Sequence, residues 1–152
     1  MWTKTKSLFL SRILTFAAGG VFLILTFFVP ALVKYYESAS AAVGLLKGSI
    51  FIPMCVGLYT AELFGFIALL SLNRLLVNIG RENVFIKENV SCLRSISWMC
   101  MLAACSFAVM ALWRIIFILP ALFAAMLGLI LRVLKNVFEK AVEIKSENDF
   151  TI

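Results

Sequence analysis

The stretch "IFIPMCVGLYTAELFGFIALLSL" (residues 50–72) decides the fold of this chain. A helix needs about 20 predominantly apolar residues to cross the hydrocarbon core of a bilayer, and this run is long enough. Glu62 is its only charged residue, and it lies near the middle of the run. The length of the run predicts a transmembrane helix, and the position of Glu62 raises the question of its purpose.

Three further apolar stretches predict spans at residues 13–33, 96–113 and 117–134. The 152-residue chain is 63% hydrophobic and 14% charged, with a mean hydropathy of +1.05. Soluble domains are about 45–50% apolar and about 25% charged. We therefore predict an all-α integral membrane protein: one domain over residues 1–152, with four transmembrane helices in a lipid bilayer. A single helix from Ile96 onward would overshoot the membrane, and Pro120 suits the first turn of a separate fourth helix.

The first span also has to be weighed against a cleaved signal peptide. It follows basic residues, and "SASAA" (residues 38–42) offers small residues for cleavage. However, a signal core has about 7–15 apolar residues, and the run here is longer. We expect the segment to be retained as a membrane helix.

The basic residues predict the orientation of the helices. Eleven of the fourteen fall in the N-terminal flank, in the middle loop (residues 73–95), and in the tail (residues 135–152) together with Arg132 just before it. The opposite side has Lys34, Lys47 and Arg114. Since cytoplasmic segments are enriched in Lys and Arg, both termini should be cytoplasmic. Arg114 is interpreted as a turn residue at the outer interface.

The two cytoplasmic segments carry helical patterns. From Phe85 onward, apolar residues recur at helical spacing, so the third helix should begin about two turns before the bilayer. In the tail, one apolar stripe predicts an amphipathic extension of the fourth helix, formed by Leu134, Val137, Phe138, Ala141 and Ile144. Such a stripe can lie on lipid or dock another protein, and the pattern alone does not distinguish these alternatives.

Glu62 lies beside a small-residue repeat formed by Gly57, Ala61 and Gly65. Small residues at this spacing let two helices approach closely, so Glu62 should face the bundle. An ionisable residue inside a membrane is a candidate for a proton or ion path, but a path needs several polar groups. No second carboxylate occurs within the predicted spans. We expect Glu62 to fix helix packing, with ion-linked transport as the alternative.

Catalysis is not predicted. The chain has no histidine, and it lacks a serine–base pair, a metal-ligand cluster and a phosphate-binding glycine loop. The spacing of the four cysteines matches no zinc or redox motif. We therefore expect no enzymatic activity, no metal, no cofactor and no direct binding of nucleic acid.

Two cytoplasmic stretches carry a family resemblance: "NVFIKENVSCLRSISW" (residues 83–98) and "SENDFTI" (residues 146–152). They resemble the bacterial membrane proteins classed as domain of unknown function 2975. The matching positions are Gly80, Phe85, Glu88, Asn89, Val90, Leu93, Arg94, Trp98, Glu147, Asn148, Asp149, Phe150, Thr151 and Ile152. Val84 and Ile86 depart from the family pattern, which often has Pro and then Ser or Thr there, so the start of the third helix should be capped differently. The resemblance implies four helices, a bacterial inner membrane and genes often found beside a small Cro/CI-type helix-turn-helix regulator.

These observations give two functional hypotheses. The first is a non-enzymatic protein whose cytoplasmic loop and tail bind a partner, with a small helix-turn-helix regulator as the candidate. Its expected binding residues are Phe85, Glu88, Asn89, Arg94, Glu147, Asn148 and Asp149. Asn89 could bridge to Asn148, and Arg94 could pair with Glu147 or Asp149, contacts that could equally only tie the tail to the third helix. The alternative is a small transporter or channel component that uses Glu62, working as a homo-oligomer through the small-residue face.

Overall fold

The protein is an all-α, four-helix membrane protein, as predicted. A computed structural model describes residues 4–39, 44–46 and 48–149, and the four long helices in this part of the chain are each long and apolar enough to cross a membrane. They are α1 (Lys4–Ala39), α2 (Phe51–Gly80), α3 (Lys87–Ala111) and α4 (Ile118–Asp149), with a 3-10 turn at Ile115–Phe117 before α4.

The helices extend beyond the predicted spans. α1 has 36 residues, which at 1.5 Å per residue gives a length of about 54 Å, against a hydrocarbon core of about 30 Å. The predicted loop at residues 73–95 is mostly helical, because α2 continues to Gly80 and α3 begins at Lys87. α4 runs unbroken to Asp149, which confirms that the fourth helix extends past its span.

Neighbouring helices are antiparallel, and their registers are set by a few close contacts. Thr26 of α1 lies beside Glu62 of α2, and Thr60 of α2 lies beside Ser106 of α3. Among the described residues, no Cα atoms approach within 8 Å between helices that are not adjacent in sequence. The backbones therefore form an open row in the order α1, α2, α3, α4.

Side chains close the row at the end where α1 ends and α2 begins. A cluster of buried residues joins the first three helices there, formed by Val29, Val33, Ile50, Met54 and Met110. The ring of Tyr36 meets that of Phe117 at 6.3 Å between centroids, which connects α1 to the turn before α4.

α3 and α4 cross closely at Ser97 and Gly128. The Ser97 hydroxyl donates a 2.7 Å hydrogen bond to the Gly128 carbonyl oxygen, and both residues are buried. A methyl group on Gly128 would lie 3.0 Å from the Met101 side chain. Small polar residues are typical of such membrane crossings because they combine close approach with a hydrogen bond. This contact fixes which residues of α3 and α4 lie level with each other.

Large apolar side chains cover the outer surface of the row. Phe27 is 83% exposed, and Phe9 and Phe123 are each more than 60% exposed. A soluble monomer rarely exposes contiguous apolar surface on this scale. The exposed rings and aliphatic chains are therefore the lipid-facing surface of the protein.

Candidate functional site

The side chain of Asn89, in the first turn of α3, makes hydrogen bonds to α2 and to the turn between α2 and α3. Its side chain is completely buried. Its Oδ1 accepts a 2.8 Å hydrogen bond from the amide of Asn78, and its Nδ2 donates to the backbone carbonyls of Asn83 and Val84, each at 2.8 Å. Glu82, within this turn, has a φ of 63°, a left-handed conformation that the surrounding hydrogen bonds hold in place. Asn89 therefore braces the turn, does not bridge to Asn148, and offers no surface to a partner.

Arg94 pairs with Glu139, whereas the prediction named Glu147 or Asp149 as its partner, and the side chain of Asp149 lies outside the described residues. The distance from its Nη2 to Glu139 Oε1 is 3.4 Å, and Lys135 Nζ lies 2.6 Å from Glu139 Oε2. The hydrogen bond from Lys135 lowers the pKa of Glu139, which lies beyond the membrane-crossing part of α4, and the charges of Lys135 and Arg94 lower it further. Glu139 thus takes part in two ion pairs. Its pair with Arg94 joins α4 to α3 beyond the predicted fourth span.

A second contact of the α4 extension is aromatic, and it is made with the turn before α3. The rings of Phe85 and Phe138 lie 5.7 Å apart between centroids, and Phe85 remains 45% exposed. Other apolar residues of the predicted tail stripe point outward: Val137 is 58% exposed and Ile144 is 59% exposed. Within the stripe, Phe138 therefore packs against the protein, whereas Val137 and Ile144 are exposed.

The remaining residues of the predicted binding set lie apart from each other. Glu88 is exposed in the first turn of α3, where a carboxylate is favourable for the helix dipole. Glu147 and Asn148 are exposed near the end of α4. The side chain of Asp149 and residues 150–152 lie outside the described residues.

Glu62 is held between α1 and α2. Its Oε1 accepts a 2.9 Å hydrogen bond from the hydroxyl of Thr26, and the Tyr59 hydroxyl donates to the Thr26 backbone carbonyl at 3.1 Å. Two other polar residues of α2 contact α3 instead of Glu62: Thr60 contacts Ser106, and Ser71 contacts Ser95. The sequence did not predict Thr26 as the partner of Glu62, because no local pattern shows which helix packs against this face of α2.

The small-residue face of α2 is occupied by the protein's own helices. An added methyl group would overlap with Met110 of α3 at Gly57 and with Phe22 of α1 at Gly65. Ala61 is buried between these two positions. Because this face is already filled within one chain, it is not available for the homo-oligomer considered above.

Arg114 lies in the turn after α3, as predicted, but it is buried and does not reach outward to the membrane interface. The residue is 5% exposed, and its guanidinium lies over the Tyr36 ring at 5.8 Å. The sequence missed this burial because Tyr36 is distant along the chain. Arg114 thus contributes to the packing at the outer end.

Comparison with known proteins adds one match. The family model described as "Protein of unknown function (DUF2975)" matches residues 46–152, which contain α2, α3 and α4. No curated protein and no solved structure matches the chain.

Proposed function

The chain belongs to the DUF2975 family, and we propose that it is a non-enzymatic protein of the bacterial inner membrane that holds a small helix-turn-helix regulator at the cytoplasmic face. The binding surface would be the docking helix, which we define as residues 135–149 of α4. The single observation that carries the proposal is the exposure of apolar side chains on a helix that is fixed in place outside the predicted span.

The docking helix is anchored on one side and apolar on another. It contacts the turn before α3 through the Phe85–Phe138 ring pair, and α3 itself through the ion pair of Arg94 with Glu139. Val137 and Ile144 are seven residues apart, so they share one face of the helix, and each is more than half exposed. Apolar anchors at this spacing are typical of a helix that binds in a groove of another protein.

The charges on the docking helix favour a protein over a lipid surface. Four carboxylates stand against three lysines in residues 135–149, and Glu139, Glu143 and Glu147 recur every four residues along one side of the helix, where Glu139 is paired with Arg94 and Lys135. An anionic leaflet attracts basic segments and disfavours a row of carboxylates. A DNA-binding protein carries a basic surface, which is complementary to this row. The gene neighbourhood implied by the family resemblance supports the same type of partner.

The proposal is tested by affinity capture of the detergent-solubilised protein from its own cells, with mass spectrometry of the proteins that copurify. A helix-turn-helix protein should copurify with the wild type and be lost from the double variant V137S/I144S. The matched control is K140S, which changes an exposed residue of the same helix. Each lost apolar anchor should weaken binding by about 1.5 kcal/mol or more, which is roughly tenfold. If no such regulator copurifies, or if the double variant retains it, the proposal fails.

The transport alternative receives less support. Glu62 already has a hydrogen-bond partner in Thr26, on the neighbouring helix of the same chain. Transport would need further ionisable groups along a path, and the nearby polar contacts join Thr60 to Ser106 on the other side of α2. A contribution of Glu62 to helix packing accounts for its position.

A further inference from the structure

A polar cavity lies between α3 and α4 at the cytoplasmic end of their spans. Its volume is about 290 Å³, and a single water molecule needs only roughly 10–15 Å³ of such space, so a phosphate group fits with water around it. The lining residues are Arg94, Ser97, Trp98, Arg132, Lys135 and Asn136.

The cavity is electropositive. Arg94, Arg132 and Lys135 contribute three positive charges, and Glu139 is the one carboxylate that pairs with any of them among the described residues. Arg132 is not used in that ion pair, and its guanidinium lies over the Trp98 ring at 4.8 Å. The ring fixes the arginine while leaving its N–H donors available. This arrangement suits a compact anion with several oxygens.

The depth of the cavity points to a lipid as the source of that anion. Arg132 lies just before the end of the predicted fourth span, and Trp98 is at the same level on α3, as is typical of an aromatic residue at the membrane interface. Leu129 lies one turn nearer the membrane centre than Arg132, and it is 53% exposed. A lipid could thus place its headgroup in the cavity and an acyl chain along the exposed apolar surface.

We propose that this cavity binds the phosphate of an anionic glycerophospholipid. Basic pockets between transmembrane helices on the cytoplasmic side are suited to such headgroups. Arg132 and Lys135 donate to the phosphate oxygens, and Asn136 supplies a neutral donor or acceptor for the glycerol headgroup. Glu139 competes with the phosphate for Lys135 and Arg94. This inference goes beyond the proposed function, because it requires no partner protein.

The test is a binding titration of the purified full-length protein by native mass spectrometry, with phosphatidylglycerol, phosphatidylcholine and inorganic phosphate as separate probes. Phosphatidylglycerol should bind the wild type at least about tenfold more tightly than phosphatidylcholine, because two positive charges are in excess at the cavity. Inorganic phosphate should bind more weakly than phosphatidylglycerol, since it lacks the acyl contacts.

Three variants separate the cavity from general surface charge. R132Q should lower the affinity for phosphatidylglycerol about tenfold, the effect of losing one charged hydrogen bond. K140Q removes the same charge from α4 outside the cavity, and its effect should stay below about threefold. E139Q should raise the affinity, because it removes the competing carboxylate, and a gain in binding does not result from misfolding.

Several outcomes would overturn the proposal. Equal losses in R132Q and K140Q would indicate diffuse attraction to the basic surface. Equal affinity for phosphatidylcholine would exclude recognition of an anionic headgroup. If inorganic phosphate bound as tightly as phosphatidylglycerol, the site would be one for a free anion. If E139Q lowered the affinity, Glu139 would support the site and would not compete with its ligand.

Discussion

Replacing Asn89 with alanine should destabilise the protein more than any other change of a polar residue at the end where α2 ends and α3 begins. The substitution removes three hydrogen bonds, one accepted from Asn78 and two donated to the carbonyls of Asn83 and Val84. At a net contribution of about 1 kcal/mol for each bond, the free energy of unfolding should fall by about 3 kcal/mol. Because Asn89 is completely buried, water cannot replace the lost partners without opening the turn.

The measurement is SDS-induced unfolding in mixed micelles, followed by tryptophan fluorescence. N148A is the matched control, since Asn148 is an exposed asparagine and its loss should change the free energy by less than about 0.5 kcal/mol. N89D should not rescue stability, because its carboxylate would accept from Asn78 but would face two carbonyl oxygens. If N89A cost less than about 1 kcal/mol, or if N89D were as stable as the wild type, the bracing role of Asn89 would be refuted.

Three further changes test the helix contacts. T26V removes the hydroxyl that donates to Glu62. It should lower the free energy of unfolding by about 0.6 kcal/mol, the average for hydrogen bonds between membrane helices. An unchanged free energy of unfolding would show that Thr26 and Glu62 do not form this hydrogen bond. G65V should cost about 1–3 kcal/mol in the same assay, because its side chain overlaps with the Phe22 ring, and a neutral result would contradict the packing of α1 on α2. The attachment of the docking helix to α3 should persist above pH 4.5 and weaken as the pH falls through the lowered pKa of Glu139, where the carboxylate takes up a proton. Distances between spin labels on α3 and α4 report this change, and E139Q should abolish its pH dependence.

The helices were predictable because each follows from a local pattern. Apolar runs of bilayer length gave the four spans, and the stripe through Val137 and Ile144 gave the extension of α4. The pairing of Arg94 was not predictable. It depends on the register between α3 and α4, which the close crossing of Ser97 and Gly128 sets. That register brings Glu139 beside Arg94, whereas Glu147 lies eight residues further along the helix, about 12 Å away at 1.5 Å per residue.

The role of Asn89 was hidden for a related reason. An asparagine near a turn is as compatible with an exposed cap as with a buried brace. Asn89 can be buried because Asn78, on the preceding helix, donates its side-chain amide to Asn89 Oδ1. A sequence pattern shows the polar residue but not the partner that allows its burial.

The contacts also divide the molecule in a way that bears on function. The docking helix, the turn braced by Asn89 and the basic cavity all lie within residues 46–152, the part matched by the family. α1 precedes the match, and among the described residues its backbone approaches that of α2 and of no other helix. Glu62 lies within the match, but the Thr26 hydroxyl that bonds to it belongs to α1. Arg94, Lys135 and Glu139 meet on α3 and α4, within the matched residues, so the variants proposed above at Glu139, Val137 and Ile144 all test the part of the chain that the family shares.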